Sequence, residues 1–328
     1  MDEQKRDTSR VRRLLPLAAL CLLLVLPFAA QALGQPAWTT LATRMLILGL
    51  AASGLNIALG MGGLVSFGHA AFYGIGAYSV GILTTHAVSG IPFLGFIPGS
   101  EQLAVTLLAA MLASGLVAAI IGALALRTSG VQFIMITLAF AQMLFFLFVA
   151  LKAYGGDDGL SMRRRNALAG LNMRDDATFY YTCLAALLVW LAVSARLLHS
   201  RFGLLLGGIR QSERRMQAIG VDTVRTRWLA FVISGMGTGL AGALMANLGR
   251  FVSPDLMHWT QSGELLIMVV LGGAGTIFGP VIGAFALIAL ESLLASWTEH
   301  WQIVLGPCIV LLALTFRGGL ARLRGGGR

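Results

Sequence analysis

The chain has 328 residues, 57% of them hydrophobic and only 12% charged, with a formal net charge of +10 at pH 7. With a mean hydropathy of +0.81, that balance excludes a soluble globular domain and defines an all-α polytopic membrane protein. The charge is nearly all arginine, since Lys5 and Lys152 are the only lysines, and the arginines cluster between apolar runs; basicity here reports membrane orientation, not nucleic-acid binding.

Residues 1–13 are basic (Lys5, Arg6, Arg10, Arg12, Arg13) and precede the apolar run LLPLAALCLLLVLPFAAQAL. A basic start, an apolar stretch and Ala30-Gln31-Ala32 fit either a cleaved signal peptide or a retained first helix. The run is about as long as a span and further spans follow, so a retained helix with a cytoplasmic N-terminus is expected. Cys21, Cys183 and Cys308 each lie in an apolar run without metal-ligand or disulfide spacing, and are expected to be small packing residues.

Further spans are expected at about 41–60, 67–86, 103–126 and 131–151, then a polar loop at 152–176 and spans at about 177–195 and 228–247. Residues 264–295 read as two hydrophobic pieces, broken at Gly272-Gly273-Ala274-Gly275 and Gly279-Pro280. A last span at 301–316 precedes the basic tail Arg317, Arg322, Arg324 and Arg328. The total is about ten spans, some broken or short, inside one transmembrane domain over 14–317, with both basic termini cytoplasmic. Arg163-Arg164-Arg165 opposes this orientation, since it falls in an outside loop; Asp157, Asp158, Asp175 and Asp176 offset it in part.

The longest polar interruption, residues 196–227, carries seven arginines against Glu213 and Asp222. Arginine-rich loops stay in the cytoplasm. Leu205, Ile209, Met216 and Ile219 share one helical face, opposite Arg210, Glu213, Arg214 and Gln217. Such a helix either lies on anionic headgroups or docks on a cytoplasmic partner; the second is the expectation.

Chemistry is conspicuous by its absence. Neither lysine ends a glycine-rich phosphate loop, and no His-Glu-x-x-His, Cys-x-x-Cys or Gly-x-Ser-x-Gly pattern occurs, so no catalytic or metal-binding set is expected. Within the spans the carboxylates noted are Glu264, near a helix start, and Glu291, near a helix end, each expected to reach the interface rather than relay protons. A conduit driven by another protein is favoured over an enzyme, a proton- or ion-coupled carrier, or a passive membrane scaffold.

The stretch Gly54–Tyr78, GLNIALGMGGLVSFGHAAFYGIGAY, is too glycine-rich for a lipid-facing helix. Broken helices at membrane depth are tolerated where they are buried or line a wet cavity. Ser66, Gly68 and His69 are therefore candidates for a solute path, His69 being either a substrate contact or a structural histidine bonded to backbone. GLN followed by VSFGHAAFYGIGAY resembles the signature of LivM-type permeases, the membrane subunits of ABC importers for branched-chain amino acids and related small solutes. Three later blocks resemble the family in order: Gly155-Gly156-Asp157-Asp158-Gly159-Leu160; SRFG at 200–203 with Gly208-Ile209-Arg210, Glu213, Ala218-Ile219-Gly220-Val221 and LAFVISG at 229–235; and LGGAGTIFGPVIGA from Leu271 to Ala284. Together they cover roughly residues 41–317.

The resemblance implies a multi-pass inner-membrane importer subunit that works with a second, LivH-like permease, two cytoplasmic ATPase subunits and a periplasmic solute-binding protein. It holds no cofactor, because ATP is bound by the partner subunits. Arg201, Phe202, Gly203, Arg210, Glu213, Ala218 and Gly220 would form the segment that couples to the ATPase. The chain reads Glu213-Arg214-Arg215 where many such importers have Glu-Ala-Ala. Gly156, Asp157, Asp158 and Gly159 would face the binding protein or simply shape a solvated turn. Gly272, Gly273, Gly275 and Pro280 would form a hinge or gate, or serve close packing. The solute is a branched-chain amino acid or a related one such as urea, an amide or an aromatic acid.

Overall fold

The computed structural model describes residues 21–32, 34–93, 95, 97–168, 170–297, 300–315 and 319. The basic start, the run before Cys21 and the tail arginines of the sequence reading lie outside them. Within the described residues the chain is a helical bundle with one two-residue strand pair, and six helices are long and apolar enough to cross a membrane.

The described first helix, α1, covers Cys21–Ala32. Helix α2 (Pro36–Asn56) opens with proline in its first turn, where the missing N–H costs nothing, and runs on through a π-helical turn, Ile57–Met61. The span starts five residues before the expected 41 because a proline start carries no hydropathy signal. Helix α3 covers His69–Ser89, two residues later than expected, and Gly90 closes it at φ 71°. Ser66 and Gly68 thus lie in the break before α3, not on a helix.

Helices α4 (Leu103–Ala125) and α5 (Val131–Ala150) show mostly apolar, exposed surface, as lipid-facing helices do. Helix α6 (Asp176–His199) is capped by Asp175, whose carboxylate accepts from the Thr178 amide at 3.1 Å. Two short helices, α7 (Arg201–Gln211) and α8 (Glu213–Ala218), lead to α9 (Thr223–Gly249). Both flanking spans are longer than hydropathy alone suggests. Arg196, His199, Arg225 and Arg227 continue them as helix, and Ser200 and Asp222 provide the caps that mark the true ends.

Helix α9 is the axis. It packs on α2, α3 and α4, with about three-quarters of its most apolar window (72%) buried. Gly76 of α3 meets the Gly239 backbone and Gly242 meets the Tyr73 backbone so closely that a Cβ at either glycine would overlap main chain. After α9, strand β2 (Phe251–Val252) pairs antiparallel with β1 (Leu160–Ser161), in register Leu160 to Val252. Helix α10 (Trp259–Gly272) and α11 (Gly279–Trp297) are the two hydrophobic pieces of the 264–295 region, and α12 (Trp301–Thr315) follows. With 14 residues α10 is about 21 Å long, too short to cross alone. The six long helices, together with α1, α3, α10 and α12, make up the ten expected segments, some of them short or broken.

Two expectations require correction. The amphipathic helix drawn through Leu205, Ile209, Met216 and Ile219 is two helices, because Ser212 is extended (φ −161°, ψ 103°) and restarts the chain as the cap of α8. The buried face is Gly203, Leu206 and Ile209, while Ile219 is 73% exposed. The cysteines also differ from one another: Cys183 is buried, but Cys21 is exposed and Cys308 half-buried. Two of the three consecutive arginines are paired: Arg164 binds Glu101, and Arg165 binds Asp176 at 2.7 Å and lies 4.6 Å over the Phe179 ring.

Candidate functional site

Three of the sequence blocks converge at one junction. Asn56, the last residue of α2, is buried, and its carboxamide spans to the loop between α10 and α11. Its Nδ2 donates to the Thr276 carbonyl at 2.9 Å, and its Oδ1 accepts from the Gly275 amide at 2.9 Å. From the polar segment, the Arg210 guanidinium donates to the Gly60 carbonyl in the π-helical turn, while its aliphatic stem lies against Gly63. A Cβ at Gly60 would overlap both the Asn56 carboxamide and the Gly275 amide. The π-turn, the late glycine loop and α7 are therefore held at a single point, and glycine is required there by close approach.

The late glycine block is built for the same closeness. Gly272 meets the Gly279 carbonyl and Gly283 meets the Met268 carbonyl, which brings the end of α10 and the start of α11 into backbone contact. Gly273 (φ 115°) and Gly275 (φ 85°) occupy backbone regions that disfavour side chains. The Thr276 hydroxyl donates to the Gly273 carbonyl at 2.8 Å and accepts from the Gly279 amide at 3.1 Å. Pro280 is buried in the first turn of α11. Gly272, Gly273, Gly275 and Pro280 are thus brought together, at the junction.

Ser66, Gly68 and His69 are placed at a second break. Gly68 has no side chain to cap α3, and Ser262 of α10 substitutes for it. The Ser262 hydroxyl donates to the Phe67 carbonyl at 2.7 Å and accepts from the Ala70 amide at 2.9 Å. Ser66 is buried and accepts from the Gly68 amide at 3.1 Å, and the Phe67 amide donates to the Thr137 hydroxyl at 3.3 Å. His69 is fully buried between the Phe72 and Phe231 rings, and its Nε2 lies 2.7 Å from the Ser234 hydroxyl. That hydroxyl's proton is given to the Gly54 carbonyl at 2.7 Å, so the ring must be the donor, protonated on Nε2.

In the polar segment, Arg201 is exposed, Phe202 half-buried, and Gly203 packs against the Leu197 and Leu198 carbonyls. Glu213 faces its own chain: it accepts from Arg227 at 2.8 Å and from the Thr223 hydroxyl at 3.1 Å, fastening α8 to the start of α9. Gly220 (φ 83°) closes α8, with its amide donating to the Gln217 carbonyl at 2.9 Å. Arg214, Arg215, Ala218 and Ile219 remain exposed.

On the opposite side, Gly155, Gly156 and Gly159 all have positive φ and wind the loop into two 3-10 turns against the β2 backbone. Asp157 and Asp158 project from it, exposed and without an ion pair among the described residues. Asn166 anchors the rest of the loop, its amide donating to the buried Asn247 carboxamide at 2.9 Å.

Asn56, Ser234 and Ser262 escaped the sequence reading as site residues, as did the ion pair between Arg44 of α2 and Glu291 of α11 at 3.5 Å. The signal for Arg44 was present, a cation inside a hydrophobic span; for the others only the tertiary contacts reveal the role.

A polytopic bundle whose broken, glycine-rich helices are tied to a polar segment between two spans fits a membrane transport subunit. The chain belongs to the family described as branched-chain amino acid transport system / permease component, which it matches over residues 38–314. It is 30% identical over 343 aligned residues to the high-affinity branched-chain amino acid transport system permease protein LivM of Escherichia coli K12, covering 96% of this chain and 76% of that protein. Shorter similarities reach the LivH permease of Salmonella typhimurium (26% over 135 residues; 40% of this chain, 44% of that one) and the autoinducer 2 import system permease protein LsrC of Yersinia pseudotuberculosis (28% over 145 residues; 41% and 40%). No solved structure matches the chain.

Proposed function

We propose that the chain forms the solute path of an ABC importer for a branched-chain amino acid or a related small solute, in partnership with a second, LivH-like permease. Two cytoplasmic ATPase subunits bind ATP and drive it, and a periplasmic binding protein delivers the solute. The chain sits in the bacterial inner membrane with both termini in the cytoplasm. The segment from Ser200 to Asp222 is cytoplasmic and meets the ATPase, and the loop bearing Asp157 and Asp158 meets the binding protein.

The observation that carries this reading is the bond from Arg210 to the Gly60 carbonyl. It fastens the polar segment to the π-helical turn, and Asn56 fastens that turn to the glycine loop between α10 and α11. A push on α7 and α8 is thereby transmitted, as a rigid-body shift, to two helix breaks within the bundle. Glu213, bonded to Arg227 and Thr223, acts as a positioning residue that sets the angle of α8, leaving Arg214, Arg215 and Ile219 to touch the partner.

The test is purification of the tagged chain from its own membrane in mild detergent, followed by mass spectrometry. Two P-loop ATPases and a second permease in the eluate support the reading. A chain that purifies alone, with crosslinking before solubilisation giving the same result, contradicts it.

A further inference from the structure

Helix α9 is fastened at each end to a different polar segment. At its start, Glu213 of α8 accepts from Arg227 at 2.8 Å and from the Thr223 hydroxyl at 3.1 Å. Near its end, Asn247 is fully buried. Its Nδ2 donates to the Ala243 carbonyl one turn back at 2.9 Å, which aims Oδ1 at the Asn166 amide, also at 2.9 Å. Asn166 is buried as well, and its own carboxamide donates to the Thr84 hydroxyl of α3 at 3.2 Å. The next residue, Ala167, is tied to the segment entering α4. Its amide donates to the Glu101 carbonyl at 2.8 Å, and its carbonyl accepts from the Leu103 amide at 2.7 Å.

Between this buried foot and the exposed turn at Asp157 and Asp158 the loop is held repeatedly to the chain that leaves α9. The Met162 amide donates to the Arg250 carbonyl at 2.8 Å, and Leu160 pairs with Val252. Gly159 lies so close to the Val252 carbonyl that a Cβ would overlap it. The turn is thus joined, two residues after Asp158, to the strand that continues α9. A displacement of the turn therefore reaches the end of α9 through paired backbone groups and a buried carboxamide. With 27 residues α9 is about 40 Å long and carries that displacement to Thr223 and Arg227 as a rigid body. At Gly239 and Gly242 it meets α3 backbone to backbone, without interlocked side chains, a packing that permits the small sliding shifts of shear motions.

We propose that α9 is a connecting rod between the two polar faces of the molecule, relaying the position of the Asp157–Asp158 turn to α8, with Asn247 as the positioning residue that engages it. The proposal rests on the importer reading, which puts a binding protein on the turn and an ATPase on α8. It adds a route separate from the bond between Arg210 and Gly60. Because coupling between two binding events is reciprocal, the same rod lets the ATPase state bias the turn.

The test is ATP hydrolysis by the permease–ATPase complex in lipid nanodiscs, titrated with leucine-loaded binding protein. Asn247→Leu keeps the volume and removes the acceptor oxygen. It should cut the stimulation of hydrolysis at least fivefold, the lower end of the usual range of about 5–150-fold for coupled sites. Assembly, basal hydrolysis and capture of the binding protein without nucleotide should stay as in the parent. Asn247→Asp, which keeps an acceptor oxygen facing the Asn166 amide, should retain most of the stimulation. Thr84→Val loosens Asn166 without touching α9 and should give a smaller loss; it decides the matter if Asn247→Leu does not assemble. Parent-like stimulation in Asn247→Leu, or in Thr84→Val where the leucine variant does not assemble, overturns the proposal. Basal hydrolysis that falls in step with stimulation in Asn247→Leu also overturns it, because that marks a residue needed only for structure. Both results leave the importer reading standing. An unmodified complex that neither responds to the binding protein nor takes up leucine with ATP refutes the importer reading, and the relay with it.

Discussion

Replacing Asn56 with leucine, a side chain of similar volume, removes the clamp between α2 and the glycine loop while keeping the bundle filled. The two bonds lost are each 2.9 Å long. They leave the Gly275 amide and the Thr276 carbonyl without their partner. A buried polar group left unpaired costs ~1–3 kcal/mol, whereas interhelical hydrogen bonds measured in membrane proteins average ~0.6 and reach ~1.7 kcal/mol each. Together these bounds place the loss at about 1–4 kcal/mol. Unfolding of the purified protein by a denaturing detergent, followed by tryptophan fluorescence, reads it directly. Arg210→Ala acts on the same turn through Gly60, so the double variant should depart from additivity by at least ~0.5 kcal/mol. A loss below ~0.5 kcal/mol for Asn56→Leu, with strict additivity to Arg210→Ala, refutes the junction.

Three further outcomes are expected. Gly60→Ala places a methyl group against the Asn56 carboxamide and the Gly275 amide, and should lower ATP-driven uptake sharply, whereas Gly207→Ala, where a Cβ meets nothing within 4 Å, should leave uptake near normal. The carboxyl of Asp175 is held below the usual carboxylate range by its hydrogen bonds to the Thr178 hydroxyl and amide. A lowered folded-state pKa means the cap stabilises fully above the ordinary value of about 4 and is lost as pH falls through the folded value; pH-dependent melting should therefore steepen in acid for the parent and less for Asp175→Asn. Single cysteines at Asp157 and Arg214, in a cysteine-free background, should react with an impermeant maleimide from opposite sides of the membrane, and labelling of both from one side would overturn the orientation.

Much of this fold was written in local signals. Hydropathy located the spans, and the glycine runs marked both breaks, because glycine is costly inside a helix and recurs where backbones meet. Helix ends were less legible: Pro36 at the first helical position and the caps Ser200 and Asp222 set them, whereas hydropathy stops at the first charge. The single amphipathic helix failed at Ser212, whose extended backbone nothing in the 3.6-residue period announces. Glu213 was legible as important, but its partners, Arg227 and Thr223, lie across a turn closed by Gly220. Asn56 stood in plain sight in the Gly-Leu-Asn motif; its role depends on a loop 219 residues away, a separation no local pattern encodes. Arg44 was the clearest missed signal, since a cation in a span needs a partner and Glu291 was already noted as a carboxylate near a helix end.

The most direct test of the account is uptake by proteoliposomes that contain the permease pair and the ATPases, with the binding protein outside and ATP trapped inside. The account predicts accumulation of radiolabelled leucine that requires ATP hydrolysis, persists when ionophores collapse the proton and sodium gradients, and is lost in Arg210→Ala although the ATPases remain bound. Uptake that survives without ATP and disappears with the gradients would contradict it.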